Sequence, residues 1–159
     1  MKESKRTVLP AAAALLVLAA DQMIKRAIRA TPLGCVLLRI PGVLEITHFV
    51  NTGAAFSVLE GRTVLLAALS ALLLVALIVF FLRSPRLNPG ERLALGALAG
   101  GGLGNLVDRI FFGGVTDYIR LRFIPFPVFN LADICITCSI LYLMLGLLTG
   151  RLDPFAKHE

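Results

Sequence analysis

The chain has 159 residues, of which 57% are hydrophobic and 16% charged, with a formal net charge of +6 at pH 7. That balance is too apolar for an ordinary soluble domain of this length and implies one integral membrane domain, residues 1–159. The surplus of positive charge suits a protein lying against anionic headgroups, so membrane lipids are expected partners and nucleic acid is not.

Four stretches approach the roughly 20 helical residues that cross a hydrocarbon layer. Thr7–Ala20 comes first and continues into "DQMIKRAI", where Met23, Ile24, Ala27 and Ile28 keep a helical apolar period, for a span of about 7–28. Lys2, Lys5 and Arg6 before this run resemble the start of a secretory signal peptide. Cleavage would leave "DQMIK" as a free terminus with no reason for its polar residues, so a retained span is expected.

The loop after it, about 29–62, has strand character. Apolar and polar residues alternate in "GVLEITHFV", Gly42–Val50, after a turn marked by Pro41 and Gly42. A small β element partly immersed in the membrane surface is expected there. The loop's length and its glycines at 42, 53 and 61 suggest a lid over Pro32–Arg62.

"TVLLAALSALLLVALIVFFL", about 63–82, holds no charge and is the clearest span. A third is expected at about 91–110, where Gly96, Gly100 and Gly104 follow the small-xxx-small spacing that lets helices approach closely. Asn105, Asp108 and Arg109 stand three and four residues apart and share one face near its end.

The next loop, about 111–130, begins with Gly113 and Gly114 at a sharp turn and continues with an extended Val115–Ile119 that presents Asp117. The last span, about 131–150, is preceded by "VFNLAD", with Asn130 and Asp133 one turn apart. The fold class expected is a mainly α membrane protein of four transmembrane helices with a small β element.

An even number of spans puts both termini on one side. Lys and Arg then divide equally, eight on each side, so the positive-inside rule does not orient the chain. Asp21, Lys25, Asn51, Asn105, Asp108, Arg109, Asp117, Asn130 and Asp133 nevertheless fall at span ends or in loops on the same side.

Asp117 and Asp133 meeting at that level would share a proton, because two close carboxylates do not both ionise easily. A shared proton serves peptide hydrolysis: one carboxylate takes a proton from the attacking water and the other donates to the carbonyl oxygen. Asn105, Asn130 and Arg109 are suited to orient such a pair.

Other chemistries have less support. His48 and His158 are the only histidines and HExxH is absent, so no metal site is expected, and GxSxG is absent. A dyad of Ser57 with Lys25 has only its spacing to support it. Gly101, Gly102 and Gly104 lack the flanking strand and Lys of a phosphate loop. Cys135 and Cys138 in an apolar helix read as packing residues and Cys35 stands alone, so no disulfide is expected.

Blander readings exist for the polar residues. Asp21 and Lys25 have the spacing of an ordinary exposed helix pair. Asn130 and Asp133 have that of a helix cap. Arg26, Arg29, Arg120 and Arg122 read as solvated or lipid-facing, with contact to phospholipid neighbours of the substrate as the weaker alternative, and His48 as structural. A transporter subunit or scaffold is the rival class, but it calls for polar residues at mid-span, where this chain has almost only Ala, Leu, Val, Ile and Gly.

Taken together and in order, "DQMIK", "NTGAAFSVL", "GGLGNLVDRI", "VTDYI" and "VFNLAD" resemble the bacterial lipoprotein signal peptidases, the signal peptidase II family. The resemblance implies an aspartic endopeptidase that cuts diacylglyceryl-modified prolipoproteins just before the lipidated cysteine. No cofactor is expected, and a monomer is the expected state although the sequence itself does not decide it. It implies a catalytic pair at Asp117 and Asp133, supported by Asp21, Lys25, Asn51, Gly53, Asn105, Asp108, Arg109 and Asn130. It also implies an inner-membrane location with cytoplasmic termini and a periplasmic active site. The segment "YIRLRFIPFPVF" between Asp117 and Asn130 departs from the family by its shortness and by Arg120 and Arg122.

Overall fold

A computed structural model of the chain describes residues 2–54, 58–83 and 87–152. In order they form α1 (Lys2–Arg29), β1 (Val36–Ile40), β2 (Leu44–Asn51), α2 (Thr63–Arg83), α3 (Pro89–Phe112), β3 (Val115–Leu121) and α4 (Leu131–Leu148). Ser57, Arg86, Lys157 and His158 lie outside the described residues.

Three helical segments have the length and composition of membrane spans: Thr7–Arg29, Thr63–Arg83 and Leu131–Leu148. α3, expected as the fourth, is long enough but less apolar, because it carries Glu91, Arg92, Asp108, Arg109 and many glycines. Its place explains the difference. α3 packs against α1, α2 and α4, so its faces meet protein where the other helices meet the surroundings.

The glycine stripe is what lets α3 sit so close. A methyl group at Gly96 would collide with the Pro10 backbone of α1, and one at Gly100 would lie 2.5 Å from the Ala14 carbonyl oxygen. One at Gly104 would strike the Asp21 carboxylate. Gly101, one position round, faces α4, where a methyl would be 2.7 Å from the Ala132 carbonyl oxygen.

The strands form one antiparallel sheet in the order β1-β2-β3. The expected strand at Gly42–Val50 is β2. Its alternation, however, runs opposite to a soluble sheet: Glu45 and Thr47 are buried, while Phe49 and Val50 are exposed. Because β2 pairs with β3, the loop Pro32–Arg62 is not free to act as a lid along its whole length. Gly113 ends α3 in the left-handed conformation at φ 72 and turns the chain into β3.

The interior is polar and the exterior apolar. The largest side chains with under 2% exposure include Lys25, Asn130, Asp21 and Asp108, whereas Val64 and Leu148 are more than three-quarters exposed. That inverts the distribution of a water-soluble domain and fits a chain whose helices face lipid.

Candidate active site

The α4 N-terminus is the hub of the polar interior. Its first three N–H groups have no intrahelical acceptor, and each finds a side chain. Leu131 donates to the Tyr118 hydroxyl at 3.0 Å, Ala132 to Asp21 Oδ1 at 3.2 Å and Asp133 to Asn130 Oδ1 at 3.0 Å. Asn130 N–H donates in return to Asp133 Oδ2 at 3.2 Å, closing a capping box. The capping reading is therefore right, and it does not exhaust these residues.

Asn130 also reaches the other carboxylate. Its Nδ2 donates to Asp117 Oδ1 at 2.6 Å and to Asn105 Oδ1 at 3.2 Å. Asn105 Nδ2 donates to Asp133 Oδ1 at 2.8 Å. Asp117 Oδ2 accepts from Asn51 Nδ2 at 3.1 Å, and Asn51 Oδ1 accepts the Gly53 N–H at 2.9 Å. Arg109 Nη2 donates to the Gly53 carbonyl at 3.3 Å.

Behind this layer Lys25 Nζ donates to Asn105 Oδ1 at 2.8 Å and pairs with Asp21 at 2.8 Å and Asp108 at 3.4 Å. All three charged side chains are fully buried, so the reading of Asp21 and Lys25 as an ordinary exposed helix pair is overturned. The ten site residues named from the sequence thus belong to one connected hydrogen-bonded network.

Burial first, and the charge of Asp133 second, push the Asp117 carboxyl up to about 7, against the lowering effect of the Asn130 and Asn51 amides. Asp117 and Asp133 line one cavity of about 530 Å³ together with Asn51, Asn105 and Arg109. Its remaining wall is largely apolar, from Val115, Phe129, Ile136 and neighbours. Asp117 is 2% exposed, whereas Asp133 is half-buried. Two carboxylates of unlike environment beside a largely apolar cleft have the groups that acid–base chemistry requires.

A family model described as signal peptidase (SPase) II matches residues 13–149. The chain belongs to the signal peptidase II family. It is 45% identical over 107 residues to the lipoprotein signal peptidase of Microcystis aeruginosa, spanning 67% of this chain and 69% of that one. It is 38% identical over 148 residues to the lipoprotein signal peptidase of Nostoc punctiforme, spanning 89% and 94%. A solved structure described as a bacterial membrane enzyme has a TM-score of 0.83 at 30% identity, covering 94% of this chain and 93% of that one. Membership in signal peptidase II makes the chain a protease of lipoprotein signal peptides.

Several residues of this polar network escaped the sequence reading. Arg29 is not lipid-facing: its Nη1 lies 3.1 Å from Asp108 Oδ1 and donates to Thr116 Oγ1 at 3.1 Å, and its guanidinium covers the Phe112 ring at 4.0 Å. The signal was present, since 21, 25 and 29 follow one another at helical i, i+4 spacing. Gln22 donates to Asp108 Oδ1 at 3.0 Å and to the Gly104 carbonyl at 3.1 Å. Burial pushes the Tyr118 phenol up to about 12, so it stays a neutral hydroxyl and a ready acceptor for Leu131 N–H.

Arg120 and Arg122 approach Glu45, each at 3.8 Å, in place of standing alone in solvent. Arg26 is exposed, as expected, and His48 is structural, its Nδ1 2.8 Å from the Thr31 carbonyl. Cys35, Cys135 and Cys138 form no disulfide. Among the described residues no group of three His, Cys, Asp or Glu is placed to hold a metal.

Proposed function

We propose that the chain is an aspartic endopeptidase that removes the signal peptide from diacylglyceryl-modified prolipoproteins immediately before the lipidated cysteine. The observation that carries this reading is Asn130, whose side-chain amide contacts Asp117 while its backbone and carbonyl hold Asp133. A single residue thereby fixes two carboxylates, from a strand and a helix, at the mouth of one cleft.

In this mechanism Asp117, raised and buried, carries the shared proton, and Asp133 faces the substrate water. Asp133 takes a proton as the water oxygen attacks the scissile carbonyl, and Asp117 donates its proton to the carbonyl oxygen. Collapse of the tetrahedral centre returns that proton to Asp117 and breaks the C–N bond, while the proton on Asp133 passes to the leaving amine. The dyad ends as it began. Arg109 holds the Gly53 loop against the cleft and supplies positive charge near both carboxylates.

Residues 1–159 act as one monomeric membrane domain, with α3 as the fourth span and the Asp dyad at the periplasmic face of the inner membrane. Two contacts support the crossing of α3. Thr63 Oγ1 at the start of α2 donates to the Gly113 carbonyl just beyond α3 at 3.0 Å. At the opposite end Leu87 and Leu95 pack with Leu77, Phe80 and Phe81 near the end of α2. α3 thus returns along the full length of α2.

The test is cleavage of a purified diacylglyceryl-modified prolipoprotein beside its unlipidated precursor. Wild type is expected to cut only the lipidated form. Asp117→Asn and Asp133→Asn are each expected to lose about 100-fold or more in rate while remaining folded. Undiminished cleavage by both folded variants would sink the dyad.

A further inference from the structure

A second charged cluster lies on the sheet, away from the cleft. Arg39, Glu45 and Arg120 are direct partners across β1, β2 and β3, so the three side chains form one row on one face. Arg122 lies just past the end of β3 and approaches the same carboxylate. Arg39 Nε lies 2.7 Å from Glu45 Oε1, and the two other guanidinium groups lie 3.8 Å from Oε2.

The cluster is not neutral. One carboxylate faces three guanidinium groups, which leaves two positive charges, and Glu45 is covered at 2% exposure while the arginines are 38% to 63% exposed. A shallow groove of about 400 Å³ follows residues 120–126, with Arg120 and Arg122 at one end. Phe123 and Ile124 line it and are 63% and 44% exposed. Arginine next to exposed apolar side chains is the pattern of a surface that enters a membrane interface.

The direction of this face follows from its own strand. Thr116, Tyr118 and Arg120 alternate onto one side of β3. Thr116 bonds Arg29 of α1, and Tyr118 bonds the first N–H of α4, so that side is turned toward the ends of the helices. The arginine row continues it beyond them. It stands at the level of those helix ends, where the headgroups around a membrane-spanning α1 and α4 would lie.

We propose that Arg39, Arg120 and Arg122 form a binding site for the phosphodiester headgroup of an anionic phospholipid, with the Phe123–Ile124 loop inserted among its acyl chains. Two guanidinium forks match phosphate oxygens in charge and shape, and Glu45 keeps the arginines side by side. Arg120 alternates onto the face of β3 opposite Asp117, and the groove adjoins the cleft through Leu121 and Phe126; lipid binding there needs no cleavage to operate.

The experiment places the full chain in nanodiscs of phosphatidylcholine with or without phosphatidylglycerol, and measures retained lipid by native mass spectrometry. Phosphatidylglycerol should be retained over phosphatidylcholine, and Arg120→Gln with Arg122→Gln should weaken retention on the order of 30-fold. Glu45→Gln should strengthen it, because removing the carboxylate frees three guanidinium groups. A merely structural cluster would weaken with either change. Equal retention of the two lipids, or no response to the arginine changes, overturns the site. Displacement of the lipid by free glycerol phosphate or by an acidic peptide at similar concentration would assign the arginines to a soluble anion, and overturns it too.

Discussion

At Asp117 two effects act in the same direction, since burial and the facing Asp133 both raise the carboxyl, from 3.8 to about 7. The neutral form is therefore the one the fold favours. Its contribution to stability is complete below about pH 4 and is lost as pH rises to about 7, an effect of at most about 4 kcal/mol. The unfolding midpoint of wild type is expected to fall over that window in detergent, and that of Asp117→Asn to stay flatter. Cleavage should share the upper limb, falling above about pH 7 as Asp117 loses the proton it donates. A rate that keeps rising through that limb would show that the proton is not needed.

Lys25 matters through its charge partners. It is fully buried between Asp21 and Asp108, and removing it strands two carboxylates. Lys25→Met is expected to lower stability by about 3–5 kcal/mol, read from thermal unfolding in detergent. A loss under about 1 kcal/mol would return the pair to the status of a surface contact. Spacing made most of this network legible, because Asn105, Asp108 and Arg109 fall on one helical face and "VFNLAD" has the form of a cap. Gln22, Thr116 and Tyr118 were not legible in the same way. Their partners lie on other elements, and nothing local distinguishes a buried Thr or Gln from a solvated one.

Among the elements, α3 shows how small residues govern the site. Gly101 and Gly102 are neighbours, yet a methyl at Gly101 would meet the Ala132 backbone of α4, and one at Gly102 only the side chain of Leu74 at 3.0 Å. Leu74 borders a cavity of about 460 Å³ into which its side chain can turn, but the α4 backbone carries Asp133 one residue on. Gly101→Ala is expected to lower kcat by displacing the α4 N-terminus, while Gly102→Ala keeps activity and gains up to about 1 kcal/mol of helix stability. Equal behaviour of the two would mean that α4 adjusts freely.

The stripe at 96, 100 and 104 was readable from spacing alone, and so was β2. β1 was missed because "VLLRI" does not alternate, and all five of its residues are exposed. A strand with no buried face in water is legible only through its partner. The reach of the lid had a similar fate: a loop reads as mobile until the strand that pairs with it is known.

For the whole molecule the outcome turns on which side of the bilayer each end occupies. Composition identified a membrane protein, but charge could not orient it, because a four-span arrangement would put eight basic residues on each side. It also could not certify α3 as a span, because a helix enclosed by three others is relieved of the need to be apolar. Packing makes the stronger argument. α3 has 24 residues, about 36 Å of helix, and its ends meet the two ends of α2.

If α3 crosses, both termini lie on one side and the segment near Leu59 on the other. If it does not, the C-terminus and N-terminus part company. Single cysteines placed at residue 3, at residue 59 and at residue 158, in a variant lacking Cys35, Cys135 and Cys138, distinguish these cases when labelled by an impermeant maleimide in sealed vesicles of known orientation. The two terminal positions are expected to label together from the cytoplasmic face, and position 59 only from the other. Opposite labelling of the termini would remove α3 from the membrane and would leave its buried Lys25–Asp108 contact to be explained as the core of a different fold.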